Sequence, residues 1–493
     1  MCTDRIKRTV WDYLRQRDLS VFACWLAPEL FAQAAQQAGI ALGSGALHGG
    51  NLVWLAVASA LHTMKNFASV LGMTLKLLRD APDWHSSRLA AAQRRGQRRG
   101  QRRASTQMRR PRDPRGRDPI AVSEEAFVQA RQRMPWSFWI ALLVILNDRF
   151  EAEHAARIRW KQFRLLALDG TTINMPRWKR LADYFGTASN GKTGRTTQAR
   201  MVMLQLPLVR VPWRYELTPL SEGERTVAGR LLNELRGGDL LLMDRGFWSY
   251  GLFWQILEHH ADFAVRKMSG VHFRKLQKLD RDDRLVLWQP SDRKWRRAGL
   301  PKTIQLREIT YQLRGFRASA IVTSVCDPRR ISREEWLRLA AVDEAGRVLE
   351  PGLYHRRWEI ETTFNELKVV QGMEGSLRSR KPEGIRYEVA GHVLLYLLVR
   401  WLMVQAARNE DADPLRLSFS ATLNELADMR ETLLHASAER IRRSLLPCLL
   451  ARIANHRVPF RPGRHYSRPH DTRVKNKGKG KYQRPSKLER RAA

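Results

Sequence analysis

Short apolar runs alternate with segments of helical spacing through the middle of the chain. Phe163–Leu168 and Leu240–Met243 are compact and mostly apolar, and Met201–Val211 is apolar with a β-like pattern. Short continuous apolar runs of this kind are typical of buried strands. Tyr250–His259 has helical spacing, and Ala261–Met268 again has the pattern of a strand. Strands that alternate with helices predict an α/β core.

Helical patterns dominate both sides of this region. Residues 1 to about 90 and Leu353 to about Ala407 have helical spacing. Ser123 precedes a segment with two glutamates in its first turn, which predicts a helix N-cap followed by acids that complement the helix dipole. Between 269 and 350 short strands mix with basic and aromatic residues, and this stretch predicts an inserted β-rich piece.

The net charge changes the picture from fold to partners. Lys and Arg number 87 against 49 Asp and Glu, which leaves +38. Positive charge binds a polyanion by releasing its condensed counterions, so the sequence favours nucleic acid, with an anionic membrane surface as the rival. Two low-complexity segments carry much of this excess: 94–117 has 11 Arg and one Asp, and 461–493 has 12 basic and two acidic residues. We expect both to be solvated, as DNA-tracking arms or as a solubilising linker and tail.

The apolar and cysteine patterns argue against a membrane or secreted protein. Trp136–Leu146 and the segment from Leu52 to Leu61 are too short to span a bilayer, and Arg400 interrupts the stretch from Val393 to Val404. No signal-peptide pattern opens the chain. Its four cysteines are scattered without zinc-type spacing. The sequence therefore predicts a cytoplasmic, nucleoid-associated protein without a disulfide framework, a zinc finger or a membrane partner.

Two aspartates have matched settings. Asp169 and Asp244 each follow a short apolar run and precede a glycine, in LDGTT and MDRGF. Acids at the carboxyl ends of buried strands lie where open α/β sheets bind ligands. If the two strands are neighbours, the carboxylates converge and a divalent cation relieves their repulsion. The alternative is that each is a turn or cap residue just past a strand.

A third acid lies on a patterned segment, YHRRWEIETTFNELK. On a helix at about 100° per residue, the apolar side chains share one narrow stripe, listed here: Leu353, Ile360, Phe364 and Leu367. Tyr354, Arg357, Glu361 and Lys368 form a second stripe beside it. Glu361 is then placed to complete a three-carboxylate cation site, and Arg357 and Lys368 to hold phosphates. The alternative is an ordinary charged helix face with Arg357 and Glu361 as a weak ion pair.

The spacing Tyr-x2-Arg-x3-Glu-x6-Lys resembles the signature of bacterial insertion-sequence transposases of the DDE type. LALDGTTINMP, GTASNGKTGRTTQARMV and GDLLLMDRGFWSY are similar to the regions around and between the first two acids of that family. SEEAFVQARQRMP and LRSRKPEGIRYEVAGHVLLYLLVRWLM resemble the segments that flank them. The resemblance covers roughly residues 120–405, and its combined motifs are specific.

The resemblance implies an RNase H-like catalytic core with an inserted β-rich domain, flanked by helical N- and C-terminal regions. It implies that Asp169, Asp244 and Glu361 bind two Mg²⁺ ions, for which Mn²⁺ substitutes. Tyr354, Arg357 and Lys368 would contact the element's terminal DNA. The expected regions are, in order: a helical end-recognition region 1–92, a basic linker 93–119, the core in 120–268 and 351–410, the insertion 269–350, a helical region 411–460 and a basic disordered tail 461–493.

This reading predicts an enzyme that cuts double-stranded DNA at the element ends and joins the freed 3′-hydroxyl to target DNA as a homodimer. One departure from some relatives is that Arg317–Val325, the last predicted strand of the insertion, has no Trp to replace a flipped base; Trp288 and Trp295 are the nearest candidates. A base-flipping, hairpin-forming route is therefore not predicted. The alternatives are an inactive or domesticated DNA-binding derivative and a nuclease that never joins, while an RNA-binding protein lacks motif support.

Overall fold

The computed structural model describes residues 21–63 and 123–459, apart from positions 23–24, 44–46, 190–194, 291–297, 313–317, 339–340, 343–347, 350, 430–431, 434–435 and 437. The fold is mixed α/β, and the chain divides into two compact units. The described residues of the first unit come from 1–162, 168–234 and 359–458. Those of the second unit come from 163–167 and 235–358, together with Pro459.

The described α-helices are α1 (Pro28–Gln37), α2 (Gly49–Leu61), α3 (Glu124–Gln132), α4 (Trp136–His154), α5 (Lys179–Phe185), α6 (Glu224–Leu231), α7 (Tyr250–Glu258), α8 (Arg333–Leu337), α9 (Glu359–Asn365), α10 (Met373–Ser376), α11 (Pro382–Asn409), α12 (Phe419–Asp428), α13 (Ala438–Arg440) and α14 (Leu446–Asn455). Short 3₁₀ turns cover Ala155–Arg157, Leu232–Glu234, Arg245–Phe247, Leu353–Trp358 and Pro414–Arg416. Glu366–Val370 and Ile441–Leu445 are π-helical.

The described strands are β1 (Arg159–Trp160), β2 (Phe163–Asn174), β3 (Thr187–Ser189), β4 (Arg195–Leu206), β5 (Val211–Thr218), β6 (Asp239–Met243), β7 (Asp262–Arg266), β8 (Arg274–Asp280), β9 (Asp283–Trp288), β10 (Ile304–Tyr311), β11 (Ser319–Thr323), β12 (Ala341–Val342) and β13 (Val348–Leu349).

Helix α11 is the central element of the first unit. It packs against α2, α3, α4, α12 and α14 and against strand β5. Gly391 allows α11 to approach α2 closely, because a Cβ at this position would lie 2.6 Å from the carbonyl oxygen of Ala56. The hydroxyl of Tyr387 donates to the carbonyl of Leu52 across the same helix pair, at 2.6 Å. Alone among the described helices, α11 is long and apolar enough to cross a membrane, and 94% of its apolar window is buried inside the protein.

Strands of the first unit form an antiparallel ladder beside these helices. β4 pairs with β5 and with β3, and the part of β2 from 168 to 174 lies next to β4. The apolar run Met201–Val211 is therefore not one strand: β4 ends at Leu206, and β5 begins at Val211. Arg210 occupies the turn between them with a φ of 53°. The apolar run crosses this tight turn because the residues on both sides of it are buried, so the apolar pattern alone does not show where one strand ends and the next begins.

The second unit contains a mixed sheet. Its strand order is β2, β6, β7, β11, β10, β9 and β8, with 163–167 as the contribution of β2. β6 and β7 are parallel, whereas β11, β10, β9 and β8 continue the sheet in antiparallel pairs. Trp288, at the end of β9, is buried and packs on the rings of Trp248, Tyr250 and Phe253. It is therefore a core residue, and Trp295 lies outside the described residues.

Several predicted elements are confirmed. The side chain of Ser123 accepts a hydrogen bond from the backbone N–H of Ala126 and caps α3. Tyr250–His259 contains α7, and Ala261–Met268 contains β7. Strands β8 to β13 occupy the predicted β-rich stretch, and the segment after 410 contains helices. The domain boundaries themselves stay predictions, and the basic linker, the basic tail and most of 1–92 lie outside the described residues.

Candidate active site

Asp169 lies inside a strand rather than after one. β2 runs from Phe163 to Asn174, so the prediction that the strand ends at Asp169 is wrong. The apolar run ends there because burial changes: the side chains up to Leu168 are buried, and Asp169 is half-buried. Its Oδ1 accepts a hydrogen bond from the backbone N–H of Gly170, at 2.8 Å. The carboxylate therefore emerges at the point where the strand leaves the core.

A second carboxylate crowds this part of β2 within the first unit. A Cβ at Gly170 would lie 3.0 Å from the carboxyl carbon and Oε1 of Glu224, at the start of α6. Glu224 also lies 3.7 Å from the guanidinium of Arg200. A side chain at position 170 would therefore crowd the carboxylate of Glu224, so the carboxylate or the strand would have to shift.

Asp244 directly follows a buried strand, as predicted. All five residues of β6 are buried, and Asp244 begins the 3₁₀ turn that follows. Its side chain is 35% exposed, and Oδ1 lies 3.8 Å from Nη2 of Arg266 at the end of the parallel neighbour β7. In the second unit's sheet, residues 163–167 of β2 lie next to β6. Within the second unit, the part of β2 before Asp169 and the strand before Asp244 are therefore neighbours, and the convergence of the two carboxylates stays a prediction.

Tyr354 and Arg357 are buried in the second unit. The hydroxyl of Tyr354 donates to the carbonyl of Met243, at 2.9 Å, so it holds the backbone immediately before Asp244. Burial, with a smaller contribution from Asp244, raises the pKa of the Tyr354 phenol against the opposing effect of Arg357. The guanidinium of Arg357 lies 4.8 Å from the ring centre of the half-exposed Trp358. Direct contacts of Tyr354 and Arg357 with DNA stay predictions.

The segment from Leu353 to Lys368 is not one regular α-helix. Leu353–Trp358 is 3₁₀, α9 covers Glu359–Asn365, and Glu366–Val370 is π-helical. Because 3₁₀ turns contain fewer residues and π turns more, positions at 100° spacing no longer share one face. The predicted straight stripe of Tyr354, Arg357, Glu361 and Lys368 is therefore wrong as geometry. The residues of the predicted apolar stripe do not form one regular stripe for the same reason, but all of them are buried, as predicted: Leu353, Ile360, Phe364 and Leu367.

Glu361 is exposed on α9, and two neighbouring acids, Glu359 on α9 and Glu366 in the π-helical turn after it, are paired with arginines. Nε of Arg210 donates to Glu359 at 2.7 Å, and Nη1 donates to Glu366 at 3.2 Å. Glu366 also pairs with the buried guanidinium of Arg400 and accepts from the hydroxyl of Tyr396 at 2.6 Å. Glu366 is therefore buried, because its pairing with Arg400 on α11 draws it into the core.

The charge state of Glu366 follows from this cluster. Burial alone would raise its pKa, but the attraction of Arg400 and Arg210 and the hydrogen bonds from Arg400 and Tyr396 outweigh burial and lower the pKa. The carboxylate is therefore ionised and compensated. The sequence contained a signal for it: Arg400 interrupts an apolar stretch, and a buried arginine requires an acidic partner.

Lys368 is held against β2 within the first unit. Its Nζ donates to the carbonyl of Thr172 at 2.7 Å and to Oγ1 of Thr171 at 3.4 Å. The same ammonium lies 3.0 Å from Glu374 Oε1. Glu374 in turn accepts from the backbone and side-chain nitrogens of Asn174, at 3.1 and 2.9 Å. The Lys368 side chain is about one-fifth exposed. The two residues of β2 that it contacts, Thr171 and Thr172, follow Asp169 by two and three positions.

The chemistry of the predicted acids suits a hard divalent cation, because Mg²⁺ prefers carboxylate oxygens. Asp169, Asp244 and Glu361 are each half-buried or exposed, so their oxygens reach solvent. Over the described ranges, no three Asp, Glu, His or Cys side chains are grouped closely enough to hold a metal ion. Carboxylate oxygens therefore suit the expected Mg²⁺ ions, but the described residues contain no group of side chains already close enough together to bind one.

Comparisons with known proteins identify the family. The model of the transposase DDE domain matches residues 160–398. Transposase InsG for insertion sequence element IS4, from Escherichia coli (strain K12), is 28% identical over 340 residues, which cover 65% of this chain and 70% of the relative. Residues 160–398 therefore match a transposase DDE domain, and the chain is similar to an insertion-sequence transposase. Its six predicted site residues all lie inside the matched range.

A solved structure shows a more distant likeness to this chain. The piggyBac transposase in a synaptic complex with hairpin DNA, determined by cryo-EM, is 10% identical with a TM-score of 0.37. The likeness covers 96% of this chain and 91% of that chain. DDE transposases as a family act on DNA and use divalent metal ions.

Proposed function

We propose that this transposase cuts DNA at the ends of its element and joins the freed ends to target DNA by the DDE mechanism. The match of the DDE domain to residues 160–398 carries the proposal, since this range includes Asp169, Asp244 and Glu361. Its RNase H-like core, flanking helical regions, homodimer and cytoplasmic, nucleoid-associated location belong to the same proposal.

We assign the binding of two Mg²⁺ ions, for which Mn²⁺ substitutes, to Asp169, Asp244 and Glu361. When bound, the ions lower the cost of activating the attacking oxygen and of releasing the 3′ oxygen. The protein's own residues position these acids. Tyr354 fixes the backbone before Asp244, and Arg210 and the Glu366 cluster fix the helix of Glu361.

The basic residues of the signature complete the assignment. Lys368 places an ammonium beside β2, where it contacts Thr172, three positions after Asp169. A phosphate that approaches β2 is attracted to this ammonium, which Glu374 keeps oriented. Arg357 acts with Lys368 on the terminal DNA. The reaction needs no covalent enzyme intermediate, because water and then the freed 3′-hydroxyl are the nucleophiles.

The test is cleavage of a supercoiled plasmid that carries the flanking element ends, in Mg²⁺ or Mn²⁺. We expect metal-dependent excision and joined products with the wild type and neither with Glu361→Ala. Glu258→Ala, at an exposed acid on the end of α7, is the matched control and should cleave normally. DNA binding without cleavage in the wild type would support an inactive derivative, and nicking that survives Glu361→Ala would reject the assigned acid.

A further inference from the structure

Two segments of the first unit run side by side, outward from Lys368. Glu374, the partner of Lys368, accepts hydrogen bonds from Asn174 at the end of β2. Further along both segments, the guanidinium of Arg380 lies 4.3 Å from the ring centre of Trp178. Helix α5 packs on β4 and on α11, which places these segments next to each other.

The two segments also contact each other near the end of α5. Nη2 of Arg386 donates to the hydroxyl of Tyr184 at 3.0 Å, and its guanidinium lies 5.5 Å from the ring centre. The same guanidinium lies 5.9 Å from the ring of Trp136. Two arginines of one segment are thus each stacked on an aromatic ring of the other.

These rings are unusually accessible. Trp178 is 41% exposed and Tyr184 is 43% exposed, which places them among the few large apolar side chains on the described surface. Lys179, Arg180 and Arg380 are exposed around them. We call these five residues and Arg386 the aromatic–arginine surface.

The charge of this surface is positive. Ranges 177–186 and 380–386 contain six Lys or Arg and two acids, Asp183 and Glu383, so the net charge is 6 − 2 = +4. Glu216 also interacts with Arg386; burial raises the pKa of that carboxyl, and the charges of Arg230 and Arg386 oppose the rise. The cations still outnumber the acids that face them, so the surface attracts an anion.

Stacking prepares the arginines for such a partner. A guanidinium over an aromatic face retains its charge and directs its N–H donors outward from the edge of the plane. Planar donors of this kind bind phosphate oxygens in pairs, with better geometry than a lysine provides. The rings already restrict the arginine side chains before binding, so less conformational freedom is lost when the arginines bind phosphate.

We propose that the aromatic–arginine surface binds the phosphate backbone of duplex DNA next to the active site. The inference rests on the proposed function, and it identifies a DNA-contacting surface beyond the Tyr–Arg–Glu–Lys signature. The surface begins where Glu374 holds Lys368, so a duplex that reaches Lys368 continues over Trp178 and Arg380. The duplex is either the element end or the target DNA, since both present the same phosphates.

The experiment measures binding of the full chain to a labelled duplex in EDTA, between 50 and 200 mM salt, without cleavage. The test variant is Arg380→Ala/Arg386→Ala. The matched control, Arg442→Ala/Arg443→Ala, removes two arginines whose side chains are 69% and 82% exposed elsewhere in the first unit. Loss of two phosphate contacts should weaken binding about tenfold or more and reduce the salt slope by about 1.8. The control should retain the affinity and slope of the wild type.

Two further measurements make the result decisive. Arg380→Lys/Arg386→Lys keeps the charge but loses the planar fork, so we expect it to regain the salt slope and only part of the affinity. Thermal unfolding within about 2 °C of the wild type would show that the fold is intact after replacement of the exposed Arg380 and the half-buried Arg386. Unchanged affinity and slope in Arg380→Ala/Arg386→Ala would overturn the proposal.

Two probes distinguish the source of the DNA. Weaker binding to an element-end duplex alone assigns the surface to the element end, and equal weakening with an unrelated duplex of the same length assigns it to any duplex, including target. Weaker binding by the variant, combined with no cleavage by the wild type in Mg²⁺, would keep the surface and reject the proposed catalysis.

Discussion

Replacing Arg400 with Met tests whether the cluster around Glu366 stabilises the helix that carries Glu361. The Arg400 side chain is 1% exposed, and its guanidinium pairs with Glu366, whose side chain is 10% exposed. Removing one partner of a buried ion pair costs about 3–5 kcal/mol. Glu366 would keep Arg210 at 3.2 Å and Tyr396 at 2.6 Å, so we expect a loss near the lower limit, about 3 kcal/mol.

The pH dependence identifies the cause of this loss. The pKa of Glu366 is lowered from its ordinary value of 4.5, so its contribution to stability is present above about pH 4.5 and is lost as pH falls through the lower folded value. Without Arg400 this contribution shrinks. The difference between wild type and Arg400→Met should therefore be full at pH 7 and decrease below about pH 4.5.

Urea unfolding followed by circular dichroism measures the difference, with cleavage of the plasmid as a second readout. Arg443→Met is the matched control, because Arg443 is 82% exposed and pairs with Glu439 at the surface. We expect the control to change stability by less than about 0.5 kcal/mol. A loss below about 1 kcal/mol in Arg400→Met, or the same loss at every pH, would refute the assigned role of the pair.

Three further predictions concern other contacts. Tyr354→Phe removes the hydrogen bond to Met243 and leaves a buried carbonyl, so unfolding should become easier by about 1–3 kcal/mol and plasmid cleavage should slow. Gly170→Ala should slow cleavage because its Cβ meets the Glu224 carboxylate at 3.0 Å, and Glu224→Ala in the same chain should restore the rate; no restoration would reject crowding as the cause. Burial lowers the pKa of His392 from 6.5 to about 3, so below pH 6.5 this imidazole becomes protonated in the unfolded chain but stays neutral in the folded protein. His392→Gln should therefore reduce the loss of stability on acidification from pH 6 to pH 5 by about 1 kcal/mol, and an unchanged pH slope would contradict the buried neutral imidazole.

The sequence predicted those features that depend on burial. Apolar runs located β6, β7 and the first half of β2, and helical spacing identified the buried members of the Glu361 segment. Asp244 lies directly after its strand because the end of that apolar run and the end of the backbone ladder coincide. For Asp169 they do not coincide, since β2 continues to Asn174 while its side chains become half-buried.

Backbone geometry and charge pairing were not predictable in the same way. Regular spacing of 100° cannot show that 3₁₀ and π turns flank α9, because tertiary contacts decide which hydrogen bonds form. Arg210 reaches Glu359 and Glu366 from a turn that is 149 and 156 positions away in the chain. Pairs at this distance in sequence carry no local pattern, so only the fold places them together.

The arginines of the described residues serve two different purposes, which the net charge of +38 does not separate. Arg164 and Arg307 are buried and each forms two hydrogen bonds with an aspartate, Asp239 and Asp283, so their charge is compensated inside the second unit. Such residues add nothing to the field that attracts DNA. The stacked Arg380, in contrast, lies at the surface of the first unit. Affinity for DNA should therefore follow the placement of exposed arginines on aromatic rings, rather than the total count of basic residues.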